Sequence, residues 1–377
     1  MSQTKHKRRV LFLFAHLHKG GMQKAVSNIS LALPNDFEQY IGYFGTENPG
    51  FIYKAKIHDF QLSAGSTDSL FSKITNAFRR LRAIRAFVKS AGIDVVVSFG
   101  EAANIYSLLS NHQAKKIITS RVHLQKSLSG NAFYTQAYRF FVNQLYPKAD
   151  AVVAVSEELA KDMRLITKNF IPVSTISNLY HIQDIEKLAE EMLPFNFSFL
   201  EDRKFLLNVG SLCHQKGQDD LLKIFKQIHN KHPDIFLVIL GRGEWDKRLK
   251  NQAELLGIMN HVIFIDFDLN PYKYMARAEV FVLTSRYEGF PNVLVEAMIC
   301  NAPVVAFDCP TGPEEILNSD SSYGIFIKNR SIDKASEGIC RLIEDPKMRH
   351  DACVKSKKRG DNYSAGIIVT KWIDILK

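Results

Sequence analysis

The sequence predicts an α/β protein made of two doubly wound, Rossmann-like domains that face each other across a cleft. Three observations lead there. The chain has 377 residues, more than one hydrophobic core usually organises. Short runs rich in Val, Ile and Phe alternate with longer helical patterns, as in parallel sheets covered by helices on both faces. That alternation lapses near residue 180 and starts afresh after residue 202.

The first series of strands is expected at VLFLFA (Val10 to Ala15), YIGYF (Tyr40 to Phe44), DVVVSF (Asp94 to Phe99), KIITS (Lys116 to Ser120) and AVVAVS (Ala151 to Ser156). The second is expected at FLLNVGS (Phe205 to Ser211), IFLVILG (Ile235 to Gly241), HVIFI (His261 to Ile265), EVFVLTS (Glu279 to Ser285) and APVVAF (Ala302 to Phe307). Between them His181 to Asp202 is polar and acidic, contains Pro194, and reads as the interdomain connection. The expected organisation is a first domain over 1–180, a connection over 181–202, a second domain over 203–358 and a tail over 359–377. In doubly wound folds ligands sit beyond the carboxyl ends of the strands, so the loops that follow the strands are where chemistry belongs.

Composition narrows the class. A content of 46% hydrophobic and 23% charged residues is that of a soluble globular protein, and no run approaches the ~18 to 20 apolar residues of a spanning helix. The start, KHKRRVLFLFAH, has an apolar core too short for a signal peptide and reads as a basic tail followed by a buried strand. Five cysteines (Cys213, Cys300, Cys309, Cys340, Cys353) without a Cys-x-x-Cys pair argue against a disulfide framework or a zinc site and for a reducing cytosol. The net charge of +10 belongs wholly to the N-terminal half: 23 Lys and Arg face 11 Asp and Glu up to residue 180, and 26 face 28 beyond it. The first domain should therefore meet an anionic partner, whether a membrane surface, a phosphorylated acceptor or nucleic acid.

Several loops carry candidate chemistry. Gly20 and Gly21, in HLHKGGMQ after the first strand, make either an anion site at a helix start or a plain turn. Lys216, between strand and helix in NVGSLCHQKGQDDLL, either reaches a diphosphate or lies in water. In RYEGFPNVLVEAM (Arg286 to Met298), the preceding strand ends at Ser285 and leaves Glu288 on the loop at its carboxyl end. Pro291 then reads as the first helical residue. Asn292, Val293 and Leu294 would offer backbone N–H groups to a phosphate at the positive helix end, and Glu296, a turn or so further, suits a ribose diol. Alternatively Glu288 supports the helix start and Glu296 pairs with a lysine; a carboxylate in so apolar a helix is costly without a partner, which favours function. Asp266 and Asp268 in IDFDLN form either a metal clamp or a strand end in which Asp268 caps the next helix.

Two segments bear on partners. In KITNAFRRLRAIRAFVK (Lys73 to Lys89), Ile74, Phe78, Leu81, Ile84 and Val88 recur at helical spacing among Arg79, Arg80, Arg82, Arg85 and Lys89. Such a helix either buries its stripe in the core or lies on an anionic bilayer, and Arg79, Arg80 and Arg82 are the first cations to neutralise in a test. The aromatic-rich stretch Asn131 to Lys148 is either a source of interfacial rings or a buried helix.

Together these residues resemble the retaining, nucleotide-sugar-dependent glycosyltransferases of family 4, which have the GT-B fold. The resemblance runs nearly the full length: the Gly20-Gly21 loop, AVVAVSEELAKDM (Ala151 to Met163), VGSLCHQKG (Val209 to Gly217), the Glu-x7-Glu element of Glu288 and Glu296, and PVVAFDCPTGPEEIL (Pro303 to Leu317). SAGIIVTKWIDILK (Ser364 to Lys377) is similar to the family's final helix, which crosses back to the first domain. The resemblance implies that Glu288 contacts the donor sugar, Glu296 the ribose hydroxyls, Lys216 the diphosphate and the helix start a phosphate, with Gly21, Gly289 and Phe290 in the same donor set. It implies retention, with no metal or other cofactor, since side chains and a helix dipole neutralise the leaving diphosphate. Where the family commonly has an arginine five residues before the lysine stands Ser211, and Arg242 is expected to supply the missing cation. A His or Arg of the loop SRVHLQK (Ser120 to Lys126) is expected near the sugar, either Arg121 or His123.

The implied function is transfer of a hexose or N-acetylhexosamine from a nucleoside diphosphate, UDP in the first instance, to a lipid-linked or surface-polysaccharide glycan. The expected location is cytoplasmic, on the inner face of the cytoplasmic membrane with peripheral contact to anionic lipid and no nucleic-acid partner. Two rival readings are a UDP-sugar epimerase of the same architecture and a non-catalytic basic protein binding nucleic acid. The second accounts for the charge but not for two glutamates in so apolar a segment.

Overall fold

A computed structural model describes residues 7–17, 20–45, 50–62, 70–122 and 132–377. The chain folds as two units, the first holding residues up to Leu179 together with Ala365–Lys377, the second holding Tyr180–Ser364.

The first unit is a parallel sheet of β1 (Arg8–Phe14), β2 (Phe37–Tyr43), β3 (Lys56–Asp59), β4 (Val95–Phe99), β5 (Lys115–Ser120), β6 (Ala151–Ala154) and β7 (Val173–Thr175), in the order β3-β2-β1-β4-β5-β6-β7. Phe12 at the middle of β1 lies opposite Ile41 on one side and Val97 on the other. Val10, Phe12 and Phe14 point to one face, where Ile368, Trp372 and Leu376 of the final helix Ala365–Leu376 complete the core. Leu11 and Leu13 point to the other and pack with Ile84 and Val88 of the helix Leu70–Ser90. Burial on both faces explains why β1 reads as an unbroken apolar run.

The second unit repeats the plan with β8 (Phe205–Val209), β9 (Phe236–Leu240), β10 (Val262–Ile265), β11 (Val280–Leu283), β12 (Val304–Phe307) and β13 (Ile325–Ile327), all parallel in the order β10-β9-β8-β11-β12-β13. Its core joins Leu206, Leu237, Ile239 and Val282 to Leu221, Ile224 and Phe225 of the helix Gln218–Lys231 and to Ile339 and Leu342 of the helix Ile332–Glu344. Each sheet reverses its strand order once, between β1 and β4 and between β8 and β11. Such reversals open a crevice at the carboxyl ends of the strands.

The structure corrects several expectations. His181 to Asp202 is built into the second unit instead of linking two bodies. It forms the helix Ile182–Ala189, whose Ile182, Ile185 and Ala189 are buried, and a 3-10 stretch Phe195–Asp202. Asn270 Nδ2 donates to Leu188 O at 2.8 Å and to Glu191 Oε2 at 2.9 Å, and Arg277 pairs with Glu201 at 2.6 Å, so the polar composition that suggests a linker serves docking contacts. The helix Pro346–Asp361 also stays in the second unit, with Ser356 Oγ donating to Ala302 O at 2.9 Å, and the tail begins at Ala365.

The cationic helix divides its stripe. Ile84 and Val88 are buried, whereas Ile74 and Phe78 are 49% and 64% exposed. Arg80 is a core residue and not a surface cation: its Nε and NH2 donate to Leu62 O at 3.0 and 2.7 Å, its NH1 to Tyr106 Oη at 3.1 Å, and its plane lies over the Phe44 and Tyr106 rings. The aromatic stretch divides likewise in the helix Ala132–Leu145 and the turn after it, with Val142, Leu145 and Tyr146 buried and Phe140 and Phe141 exposed. Among the described residues no helix is long and apolar enough to cross a membrane.

Candidate active site

The loops after β8 and β11 flank the reversal of strand order in the second unit, and there Lys216 meets Glu288. Lys216 ends the 3-10 turn His214–Lys216, which Gly217 closes at φ 65°. A side chain at 217 would be strained by that angle and would collide with the Thr284 carbonyl. The aliphatic stem of Lys216 lies over Gly210, where an added Cβ would stand 3.5 Å from Lys216 Cδ and Cε. The Nζ then donates to Glu288 Oε1 at 2.6 Å, and the same oxygen accepts from Ser285 Oγ at 2.6 Å.

Both charges are largely removed from solvent, the side chains being 20% and 7% exposed. Burial pushes the Lys216 ammonium down, but the adjacent Glu288 carboxylate outweighs it and holds the pKa above the ordinary lysine value. Lys216 is therefore a fixed cation. The Glu288 backbone is clamped by the loop after β12: its N–H donates to Pro310 O at 3.3 Å and its carbonyl accepts from Thr311 Oγ1. Thr311 adopts φ 65° while buried, a strained conformation kept at this loop. Burial and then the Glu288 charge push the neighbouring Cys309 thiol up to about 12, so it remains a neutral wall of the site.

The helix after Glu288 spans Asn292–Ile299. Pro291 stands at its N-cap and not in its first turn, because its carbonyl accepts from Leu294 N at 3.0 Å. Of the three amides expected to face a phosphate, that of Leu294 is thus spent in the turn, and the helix start rests on Asn292 and Val293. Asn292 Oδ1 accepts from Tyr180 Oη at 2.8 Å. Phe290 is buried edge-on against Tyr363, Gly289 is buried beside it, and Glu296, one turn into the helix, is 3% exposed.

Ser211 is exposed in the loop after β8, its carbonyl accepting from Gln218 Nε2 at 3.0 Å. Arg242 follows β9 and pairs with Asp266 at the end of β10, both side chains in solvent. Asp268 accepts from Asn270 N at 2.9 Å and pairs with Lys273 at 2.9 Å. The two aspartates are thus engaged by cations and a turn, but Asp268 does not cap the next helix Tyr272–Met275, whose N-cap is Pro271 and where Tyr272 N donates to Asn270 Oδ1 at 3.1 Å instead. Three other donors, those of His232, Cys340 and Glu344, lie within 4.8 Å of one another, but at the amino ends of the second sheet's strands.

In the first unit Gly20 caps the helix Gly21–Ala32 with φ −149°, an angle open to any residue. Arg121, after β5, is buried, donates to Asn178 Oδ1 and lies over the Phe99 ring. His123 lies outside the described residues. The sequence reading overlooked Glu101, which follows β4 across the reversal from β1 and opens the helix Glu101–Leu109. Gly100 before it has φ 88° and approaches Met22, and burial pushes the Glu101 carboxyl up. The Gly-Glu pair at the carboxyl end of a strand was the available signal.

The chain is similar to several known glycosyltransferases. The model of the family "Glycosyl transferases group 1" matches residues 190–359. The chain is 27% identical over 357 residues, 94% of each protein, to the N-acetylgalactosamine-N,N'-diacetylbacillosaminyl-diphospho-undecaprenol 4-alpha-N-acetylgalactosaminyltransferase of Campylobacter jejuni. It is 23% identical over 371 residues, 98% of each, to the GalNAc-alpha-(1->4)-GalNAc-alpha-(1->3)-diNAcBac-PP-undecaprenol alpha-1,4-N-acetyl-D-galactosaminyltransferase of the same organism. Among solved structures, that of Anabaena HepE in complex with UDP matches with a TM-score of 0.76 at 17% identity, over 98% of this chain and 99% of that one. The shared fold is GT-B. Lys216, Glu288 and Glu296 all lie inside the span of the second unit that resembles the group 1 glycosyl transferases.

Proposed function

We propose that the chain transfers a hexose or N-acetylhexosamine from a UDP-sugar to a lipid-linked or surface-polysaccharide glycan, with retention and without a metal. The observation that carries this is the Lys216–Glu288 contact of 2.6 Å at the strand-order reversal, beside the helix start at Asn292 and the buried Glu296. In this reading Lys216, kept protonated, neutralises the charge that develops on the departing diphosphate, and the start of the helix Asn292–Ile299 receives a phosphate. Glu288 accepts from a hydroxyl of the donor sugar and Glu296 from the ribose diol. Fixed cations make a metal unnecessary for the leaving group, and Arg242 adds a second one at the place left by Ser211. Unchanged turnover and donor affinity in Arg242→Ala would remove that part.

Support for retention comes from the two relatives, both named for α-linked products, since UDP-hexoses are α-linked at the reacting carbon. Both are also named for acceptors on diphospho-undecaprenol, which fits the cationic surplus of the first unit. The helix Leu70–Ser90 has no acidic residue and exposes Ile74 and Phe78 beside Arg79, Arg82, Arg85 and Lys89. At ~1 kcal/mol per cation near an anionic leaflet, four such residues suffice for peripheral contact with the inner face of the cytoplasmic membrane. The deciding experiment is a panel of UDP- and GDP-sugars tested for binding and slow hydrolysis, with Glu296→Ala as control. A UDP-sugar preference lost in the variant is expected, and indifference to every nucleotide sugar would end the proposal.

A further inference from the structure

A second set of contacts, besides the Lys216–Glu288 ion pair, joins the same two loops. Arg286 N donates to Gln215 O at 2.7 Å, Gln215 Nε2 to Tyr287 O at 3.0 Å, and Thr284 Oγ1 to Lys216 O at 3.1 Å. Across this zipper lie two guanidinium groups and two carboxylates. Arg286 NH2 reaches Asp219 at 2.8 Å and Asp220 at 3.3 Å, while Arg330 NH2 reaches Asp220 at 2.9 Å. The four side chains are only 13% to 25% exposed.

Each arginine also holds the backbone of one loop. Arg286 NH1 donates to His214 O at 2.7 Å, in the turn that ends at Lys216. Arg330 NH1 donates to Ser285 O at 2.5 Å, and it is the Ser285 hydroxyl that holds Glu288. Asp220 couples the two, and the rings of Trp245 and Phe307 lie under the guanidinium planes. A guanidinium shared between a carboxylate and a carbonyl sets direction as well as distance, which a lysine cannot reproduce.

We infer that Arg286, Arg330, Asp219 and Asp220 form a positioning clamp that sets the spacing of Lys216 and Glu288. The inference rests on the proposed function for its consequence, that the clamp holds the pair in the geometry the donor diphosphate and sugar require. These are positioning residues that act through the backbone of His214 and Ser285. A displacement of about 1 Å at a reacting centre costs on the order of 10²-fold in rate.

The test uses the full chain with Arg330→Met, Arg330→Lys and the milder Asp220→Asn. One readout needs no donor: the rate at which an N-hydroxysuccinimide ester acylates Lys216, followed by peptide mass spectrometry, with Glu288→Gln as the control that loosens the pair. Acylation of Lys216 should quicken ~10-fold in Arg330→Met and Asp220→Asn at native levels of folding. On a UDP-sugar that the native chain turns over, kcat should fall ~10- to 100-fold while KM changes little. Arg330→Lys should stay impaired although the charge is kept, which a role in bulk stability would not give. Unchanged acylation in a folded variant, or unchanged kcat despite faster acylation, would overturn the clamp. If the native chain acts on no nucleotide sugar, the proposed function falls, and the acylation rate alone decides the clamp.

Discussion

Replacing Lys216 by Met separates what the Lys216–Glu288 pair does for folding from what it does for chemistry. At 2.6 Å, two unit charges at an effective dielectric of 20 attract by about 6 kcal/mol, most of which offsets desolvation. What a deletion exposes is the partner left behind, about 3 to 5 kcal/mol for a buried carboxylate without its cation. Glu288 is nearly enclosed, but it keeps the Ser285 hydroxyl, and Lys216 is one-fifth exposed. The expected loss is therefore near the lower end, about 3 kcal/mol. The chain has two tryptophans, Trp245 in the second unit and Trp372 in the first, so urea unfolding followed by fluorescence in a Trp372→Phe background reports the second unit alone. Lys216→Met/Glu288→Gln should be more stable than Lys216→Met by ~1 to 2 kcal/mol, because no buried charge remains. Donor turnover should fall on the order of 10²- to 10³-fold in both, since the second change restores no cation. A double variant no more stable than the single one would refute the reasoning, as would a single variant costing under ~1 kcal/mol.

Three further outcomes are expected. Burial pushes His112 down to about 4, below its unfolded value near 6.5, so nothing is lost above pH 6.5 and stability declines as pH falls from there towards 4. The decline amounts to about 3 kcal/mol, and pH-dependent denaturation of the first unit should flatten in His112→Leu. Gly217→Ala should destabilise the second unit by ~2 kcal/mol or more and impair turnover with it, because φ 65° and the Thr284 carbonyl leave a Cβ no room; a neutral thermal shift would contradict this. Arg80→Ala should lower first-unit stability by ~2 kcal/mol without changing binding to anionic liposomes at low salt, whereas Arg82→Gln/Arg85→Gln/Lys89→Gln should weaken that binding with stability intact.

The period and length of its apolar runs determined much of this protein. Central strands such as β1, β4, β8 and β11 are buried on both faces, so each reads as a mostly apolar run of Val, Leu and Phe, and the repeat of that series announced two domains. The three strands that went unread, β3, β7 and β13, all lie at sheet edges: one neighbour and partial exposure ask little of KIHD or VST, while the mostly buried IFI is only three residues long and gives no period to read. Motif residues were legible as members of loops at the carboxyl ends of strands. Only tertiary structure decided which of them meet: Lys216 and Glu288 are 72 positions apart, and their contact depends on β8 lying beside β11. The same holds for the cations, since Arg80 and Arg82 look alike in a helical pattern, yet Leu62, Phe44 and Tyr106, brought from other elements, take one inside and leave the other in water. Periodicity records the local direction of a side chain, while its partners come from distant chain segments that pack around it.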